Sequence, residues 1–401
     1  MSNEDIINCQ LETDFQSLEP IKPEWDGCVQ SNGCDIQMTL DWCKIWWRFY
    51  GTGRSLRIFL IRHSSQLVGI VPMFVEKVWL AGTWLRVAKL LGSDFTISSC
   101  VLPIRDEFAP IAFRHALTHL LETDRCDAIR FGQLVEKGAV FVSLRQACAD
   151  ICRLVKINQD TVQGTHTIFH LPTKYEDYLK SLSKHERQNI QRDIRRFGRD
   201  FVVSHESVET PELLRKEFPA FIEMHEAQWN RVGRLGHFAG WPQARKFHLA
   251  LVNGLGSLGR VRLDRLTANG EVVSYRYALK FGNTLFAILP ARLAGPQWDQ
   301  RGIGRIAFVK TVEHAIEGGI RVINSGRSHY DYKIRLGGQE VPIRTMVLVR
   351  RSILVEIRYR FFCWQAKLLD IIYYKIWIRR VAPYLPFKRK PLWKIWIRSQ
   401  F

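Results

Sequence analysis

The chain has 401 residues, 46% of them hydrophobic, which is enough for a sizeable core spread over two or three domains and too apolar for a disordered chain. Its formal net charge is +19, from 58 Lys and Arg against 39 Asp and Glu. Thirteen of those cations, against only Glu356 and Asp370, fall in residues 350–401, so the body is only mildly basic and the tail needs its own explanation.

The start, "MSNEDIINCQLETDF", is acidic and has no apolar signal region. The 9 cysteines are scattered, and Cys148 and Cys152 have no second pair to complete a zinc pattern. These features point to a reducing, cytosolic compartment, free thiols and no structural metal. The segment "DWCKIWWRFYG" (41–51) reads as a helix with Asp41 as N-cap and Gly51 as its stop. Apolar runs at 56–61 and 67–75 flank a short polar turn, the signature of a hairpin. Residues 124–153 read as strand, loop and helix, and 171–200 as a strongly charged helix. Residues 206–229 are mainly helical in pattern. A second hairpin turns at Asn269-Gly270, a good two-residue turn pair, and a third strand is expected over 283–289. The two hairpins resemble each other, which hints at two similar α/β lobes; any mixed protein can also contain two hairpins.

After the third strand, Gly302-Ile303-Gly304 opens a helix whose apolar face carries Ile306, Val309, Val312 and Ile316, with Glu313 inside that face. Gly318-Gly319 ends it and 321–324 begins a strand. A glycine turn at a helix start exposes unpaired N–H groups at the positive end of the helix dipole, where a phosphate or pyrophosphate is the natural ligand. Arg301 and Arg305 would add charge. Ala307 replaces the third glycine of a dinucleotide fingerprint, and there is no Gly-Lys-Ser/Thr ending of a P-loop. Then comes "SGRSHYDYKIRLGG" (325–338), which crowds Arg327, His329, Tyr330, Asp331, Tyr332, Lys333 and Arg335 between glycines. His119, His166, His170 and His185 fall at no ligand spacing and there is no G-x-S-x-G elbow, so metalloenzyme and serine hydrolase readings are rejected.

A hairpin, a strand, R-G-x-G opening a helix and a further strand resemble the acyl-CoA site of the GNAT N-acyltransferase superfamily. Asp299 stands where that motif usually has Gln or Arg, with Gln300 and Arg301 nearby. Ser325-Gly326-Arg327, Tyr332-Lys333, and Arg187 with Asn189 in "SKHERQNIQRDIRR" are similar to the BioF2-like acetyltransferase branch. That branch includes proteins of the cellulose-biosynthesis CelD type and is related to the FemAB aminoacyltransferases. The likeness covers about 41–350. It implies an α/β (α+β) fold of two GNAT-like lobes with mixed, mostly antiparallel sheets, at 1–165 and 166–350, followed by a basic aromatic tail at 351–401. It further implies acyl-CoA as co-substrate, no metal, and an amine acceptor on a sugar or envelope precursor, as in exopolysaccharide biosynthesis.

Acyl transfer to nitrogen needs a deprotonated amine, a held thioester and a stabilised oxyanion. On this reading Arg301, Gly302, Ile303, Gly304 and Arg305 hold the donor. Arg327 and Lys333 face a phosphate or carboxylate. Asp331 orients or deprotonates the amine, and Tyr330 or Tyr332 protonates the departing thiolate. Asp331 could instead pair with Arg327 or Arg335 and only fix the loop. Tyr275 and Tyr277, flanking Arg276, face the substrate or pack. Arg187, Asn189, Arg192, Arg195 and Arg196 grip an anionic acceptor or form a solvated face. Two other readings stand beside this one: an aminoacyl-tRNA-dependent transferase of the FemAB sort, and a non-catalytic module on a polysaccharide synthase.

The tail interleaves Trp364, Trp377, Trp393 and Trp396 with Lys375, Arg379, Arg380, Lys388, Arg389, Lys390 and Lys394. No apolar stretch reaches the ~20 residues needed to span a bilayer, and Pro383 and Pro386 break it into short segments. It reads as a peripheral anchor on anionic lipid at the inner face of the cytoplasmic membrane. Packing on the body, or single-stranded nucleic acid, would also suit the composition, with nucleic acid the least favoured.

Overall fold

The computed structural model describes residues 7–95, 101–136, 138–327, 329–385 and 392–400. They divide into unit 1, residues 1–163 with 342–401, and unit 2, residues 164–341. The strands in chain order are β1 (Ile7–Glu12), β2 (Arg54–His63), β3 (Gln66–Leu80), β4 (Thr83–Leu90), β5 (Ala128–Val135), β6 (Val155–His170), β7 (Val203–Val208), β8 (Val261–Ala268), β9 (Glu271–Phe281), β10 (Thr284–Arg292), β11 (Val322–Arg327) and β12 (Gln339–Arg350).

In unit 1, β1 to β4 pair antiparallel in order; β4 then pairs in parallel with β5 over Val87–Lys89, and β5 pairs antiparallel with β12. In unit 2, β7 to β10 pair antiparallel in order; β10 pairs in parallel with β11 over Thr284–Phe286, and β11 pairs antiparallel with the second half of β6. Each unit therefore runs through the same sequence of pairings, with a helix between its parallel strands: Ala109–Thr118 in unit 1 and Ile303–Glu317 in unit 2. The fold is α/β with two GNAT-like lobes. The strand that closes unit 1's array comes from the second half of the chain, and the one that closes unit 2's precedes it.

Both expected hairpins form. Asn269 and Gly270 both take positive φ (50° and 83°), as a tight twisted turn requires. Residues 171–200 make two helices rather than one, Tyr175–Ser181 and Lys184–Asp200, parted by Leu182 in an extended conformation. Ser183 caps the second, its hydroxyl oxygen accepting a hydrogen bond from the Glu186 N–H at 3.2 Å. Residues 206–208, expected to be helical, finish strand β7, and the helix is Pro211–Arg231. Alternation wins there because His205 and Ser207 face one side of a short strand laid on β8. The cap of the Leu40–Tyr50 helix is Thr39, with Asp41 inside the first turn and paired to Lys22 at 2.8 Å; Gly51 ends it as expected.

The tail is helical at Ile353–Leu369, Asp370–Val381 and Trp393–Ser399. Val355, Tyr359, Phe362 and Ala366 pack on Val78, Leu85, Val87, Val347 and Val349 of unit 1's sheet. Beyond them lies a buried ion cluster. Arg54 donates to Glu76 at 3.0 Å and to both oxygens of Asp94 at 3.1 and 2.7 Å, inside a ring of Trp46, Phe74 and Phe95. Lys89 reaches Glu76 at 3.1 Å and the carbonyl of Arg398 at 2.9 Å, while Arg398 donates to Glu76 at 2.8 Å. Lys388, Arg389, Lys390 and Pro386 lie outside the described residues.

Candidate functional site

The turn before the Ile303–Glu317 helix holds Gly302 at φ 67°. The first hydrogen bonds of the helix return to the Gly302 carbonyl from Arg305 and Ile306, which leaves the N–H groups of Ile303 and Gly304 open among the described residues. Gly304 is exposed, and a Cβ placed on it would meet nothing within 4 Å. Arg301 and Arg305 do not stand free. Arg301 pairs with Asp200, and Arg305 pairs with Asp193 and, at 3.1 Å, with Glu186. All three carboxylates belong to the Lys184–Asp200 helix. The turn thus presents backbone donors with locally neutralised arginines. Asp299, at the position that departs from the motif, pairs with Arg292 at 3.2 Å and Arg231 at 3.4 Å.

The parallel ladder between β10 and β11 stops at Phe286 and Asn324, although the strands run on to Arg292 and Arg327. Past that point β10 shifts register between Ala287 and Leu289 against β9, and β11 shifts between Asn324 and Arg327 against β6. The facing edges are no longer joined by ladder hydrogen bonds. Gly326, at φ 71°, turns the chain into the polar loop, whose short helix is Asp331–Arg335.

That loop sorts its side chains. Lys333 turns inward and is only 4% exposed; its ammonium donates to the Ser325 carbonyl at 2.8 Å and lies 5.1 Å from the Tyr330 ring centre. Burial, helped by the nearby Arg276 charge, lowers its pKa to about 8. Asp331 turns outward and meets His329 at 3.0 Å, and His329 meets Glu340 at 2.8 Å. Those hydrogen bonds, Glu340's first, raise the His329 pKa. Asp331 pairs with neither Arg327 nor Arg335. Tyr330 and Tyr332 remain half-exposed with rings 5.7 Å apart, and burial holds the Tyr332 phenol above its ordinary range.

Strand alternation separates Tyr275 and Tyr277 from this loop. Tyr275 donates to Glu217 at 2.6 Å, and Tyr277 packs on Phe218 at 4.9 Å and Phe221 at 5.7 Å, both on the Pro211–Arg231 helix. Arg276, between them, faces the other way. Its guanidinium lies 4.9 Å from the Phe308 ring, near Tyr332 and Lys333; Asp264, opposite it on β8, favours its charge, though no carboxylate lies within ion-pair distance among the described residues. The alternation Tyr-Arg-Tyr carried the signal for this residue; it did not say which face looked at the loop. Arg187 donates to the carbonyls of Lys180 and Leu182 at 3.0 and 2.7 Å, closing the preceding helix, and Asn189 lies 3.2 Å from His185. Arg192, Arg195 and Arg196 are exposed on that helix. A cavity of about 470 Å³ lies elsewhere, in unit 1, lined by Lys77, Trp84, Arg86, Asp127, Arg350 and Arg358 among others.

Residues 184–334 match the model of a family described as Acetyltransferase (GNAT) domain. The span holds the glycine turn, the open strand pair and Lys333. No curated protein sequence matches the chain. Among solved structures the chain is similar to FemX, at 11% identity and TM-score 0.59, over 84% of this chain and 96% of that one. It is also similar to a conserved protein of unknown function from Bacteroides thetaiotaomicron, at 10% identity and TM-score 0.50, over 86% and 100%. The matched span, residues 184–334, carries a GNAT-type acyltransferase fold.

Proposed function

We propose that unit 2 is an N-acyltransferase that moves an acyl group from acyl-CoA to an amine on a cell-envelope or exopolysaccharide precursor, as the likeness to the BioF2-like and CelD-type branch suggests. The observation that carries this reading is the opened β10–β11 pair with Arg276, which makes no direct ion pair among the described residues, and Lys333 beside it. An extended thioester arm could lie along the open strand edges. The exposed first turn at Gly304 could take its pyrophosphate on backbone N–H groups.

In the reaction a C–N bond forms as the C–S bond breaks. Arg276 and Lys333 supply positive charge where an oxyanion or a substrate phosphate would develop. Tyr332, kept protonated by its raised pKa, is suited to deliver a proton to the thiolate. The row Asp331–His329–Glu340 is suited to accept the amine's proton. Arg327 and the exposed arginines of the Lys184–Asp200 helix add positive charge suited to an anionic acceptor.

The test is isothermal titration of acetyl-CoA and longer acyl-CoAs into the wild type and a Gly304→Trp variant. Saturable binding that the bulky residue removes supports the donor site, and the open space around Gly304 keeps that substitution compatible with folding. A folded protein that binds no acyl-CoA overturns it. The likeness in fold to FemX favours, as second reading, an aminoacyl-tRNA-dependent transferase of the FemAB sort. That reading requires tRNA retention that weakens steeply with salt.

A further inference from the structure

The Ile353–Leu369 helix is apolar on two opposite faces. One face, Val355, Tyr359, Phe362 and Ala366, is buried on unit 1. On the other, Ile353, Ile357, Phe361, Trp364 and Leu368, continued by Ile372 in the segment that follows, recur every three or four residues and stay in the open; Ile353 is 80% exposed, Ile357 62% and Trp364 59%. Spacing of three and four puts them in one stripe, about 25 Å long over this helix. A continuous exposed stripe of this kind marks an interaction surface rather than ordinary scatter.

Charge says what kind of partner fits. Arg360, Lys367, Arg379 and Arg380 are exposed along the same segment. The only acids there are already matched: Glu356 by Lys156, and Asp370 by Lys375 at 3.3 Å and by the Trp396 indole at 3.1 Å. The surface is therefore apolar in the middle and of one sign around it. The aromatic rings divide as well. Trp393 and Trp396 stack with each other and with Tyr374 inside the tail, whereas Trp364 stacks on Phe361 at 5.8 Å and faces out. An amphipathic indole in an apolar stripe rimmed by cations suits the boundary between headgroups and acyl chains. No helix among the described residues is long and apolar enough to cross a membrane.

We infer that the outer face of this C-terminal helical segment lies flat on an anionic lipid bilayer, its inner face holding it to unit 1. The inference is independent of the acyl donor.

The experiment is flotation of the full chain with phosphatidylglycerol-containing vesicles and with phosphatidylcholine vesicles. The variants are Ile357→Glu/Trp364→Glu and Arg379→Gln/Arg380→Gln, with thermal melting and sedimentation in parallel. Expected are binding to the anionic vesicles, weakening in high salt, and a loss of at least about tenfold in both variants with unchanged melting. Absence of vesicle binding by the folded wild type overturns the inference, as does binding that both variants retain. A dimer that the Ile357→Glu/Trp364→Glu change splits, without vesicle binding, would overturn it in favour of a second copy on this face.

Discussion

Two glycines one residue apart serve different ends, and exchanging each for alanine separates them. Gly302 sits at φ 67°, where a side chain is strained by about 1–2 kcal/mol. A Cβ there would also fall 2.7 Å from Asp193 Oδ2, the oxygen that holds Arg305. Shifting that half-buried pair adds up to about 1 kcal/mol. Gly302→Ala should therefore lose about 2 kcal/mol, and unit 2 should melt about 4–8 °C lower. Gly304 has ordinary helical backbone and open space around it, so Gly304→Ala should be neutral or slightly stabilising. Circular dichroism melts and urea midpoints of the two variants, read beside acyl-CoA titration, give the comparison. Equal shifts for both, or an unchanged midpoint for Gly302→Ala, would refute the assignment of Gly302 to the fold.

Glu76→Ala leaves Arg54, Lys89 and Arg398 around an empty place in a buried site, and should cost about 3–5 kcal/mol in urea unfolding; less than about 1 kcal/mol would contradict the cluster's role. Arg276→Met removes a half-buried cation that Asp264 favours across the ladder but does not pair with directly, so melting should change little while kcat/KM for an anionic substrate falls about 10- to 100-fold. Lower melting with unchanged activity would make Arg276 a packing residue. His166, His205, His225, His237 and His248 are all held below the ordinary imidazole value by burial. The unfolded chain takes up protons near pH ~6.5 that the folded chain refuses, so stability is full above that pH and falls below it, by up to about 1.4 kcal/mol per pH unit for each ring. The exposed His329, with its raised value, acts in the opposite sense but alone. Urea midpoints that stay level from about pH 7.5 to 5.5 would rule this out.

Local chemistry was the legible part of the sequence. Asn269-Gly270, Gly51 and the Gly302 turn each announced their backbone, because positive φ and helix ends restrict residue choice strongly. The apolar period of Ile306, Val309, Val312 and Ile316 placed a helix correctly, and Glu313 inside that face is accommodated by Lys310 at 2.7 Å. Pairing was not legible. β1, β4, β6, β7 and β12 went unread as strands; β6, for one, is mostly polar and half exposed and its partners lie far along the chain. At the site, residue types in "SGRSHYDYKIRLGG" signalled chemistry, but whether Lys333 or Asp331 turned inward depended on the turn at Gly326. The carboxylates that neutralise Arg301 and Arg305 come from a helix about a hundred residues earlier, a contact no local pattern encodes.

The exchange of closing strands carries a consequence for how the chain is made. Unit 2 has its closing strand, the second half of β6, in hand before the rest of it is synthesised. Unit 1 has β1 to β5 early, yet β5 waits for β12. At about 5–20 residues per second the ribosome needs roughly 10–40 s to get from the end of β6 to the end of β12. During that interval the edge of β5, with buried Ala128, Ile129 and Phe131, has no partner of its own. The half of the protein that is translated first is the half that finishes last, and a nascent chain stalled before residue 339 should be the species a chaperone holds.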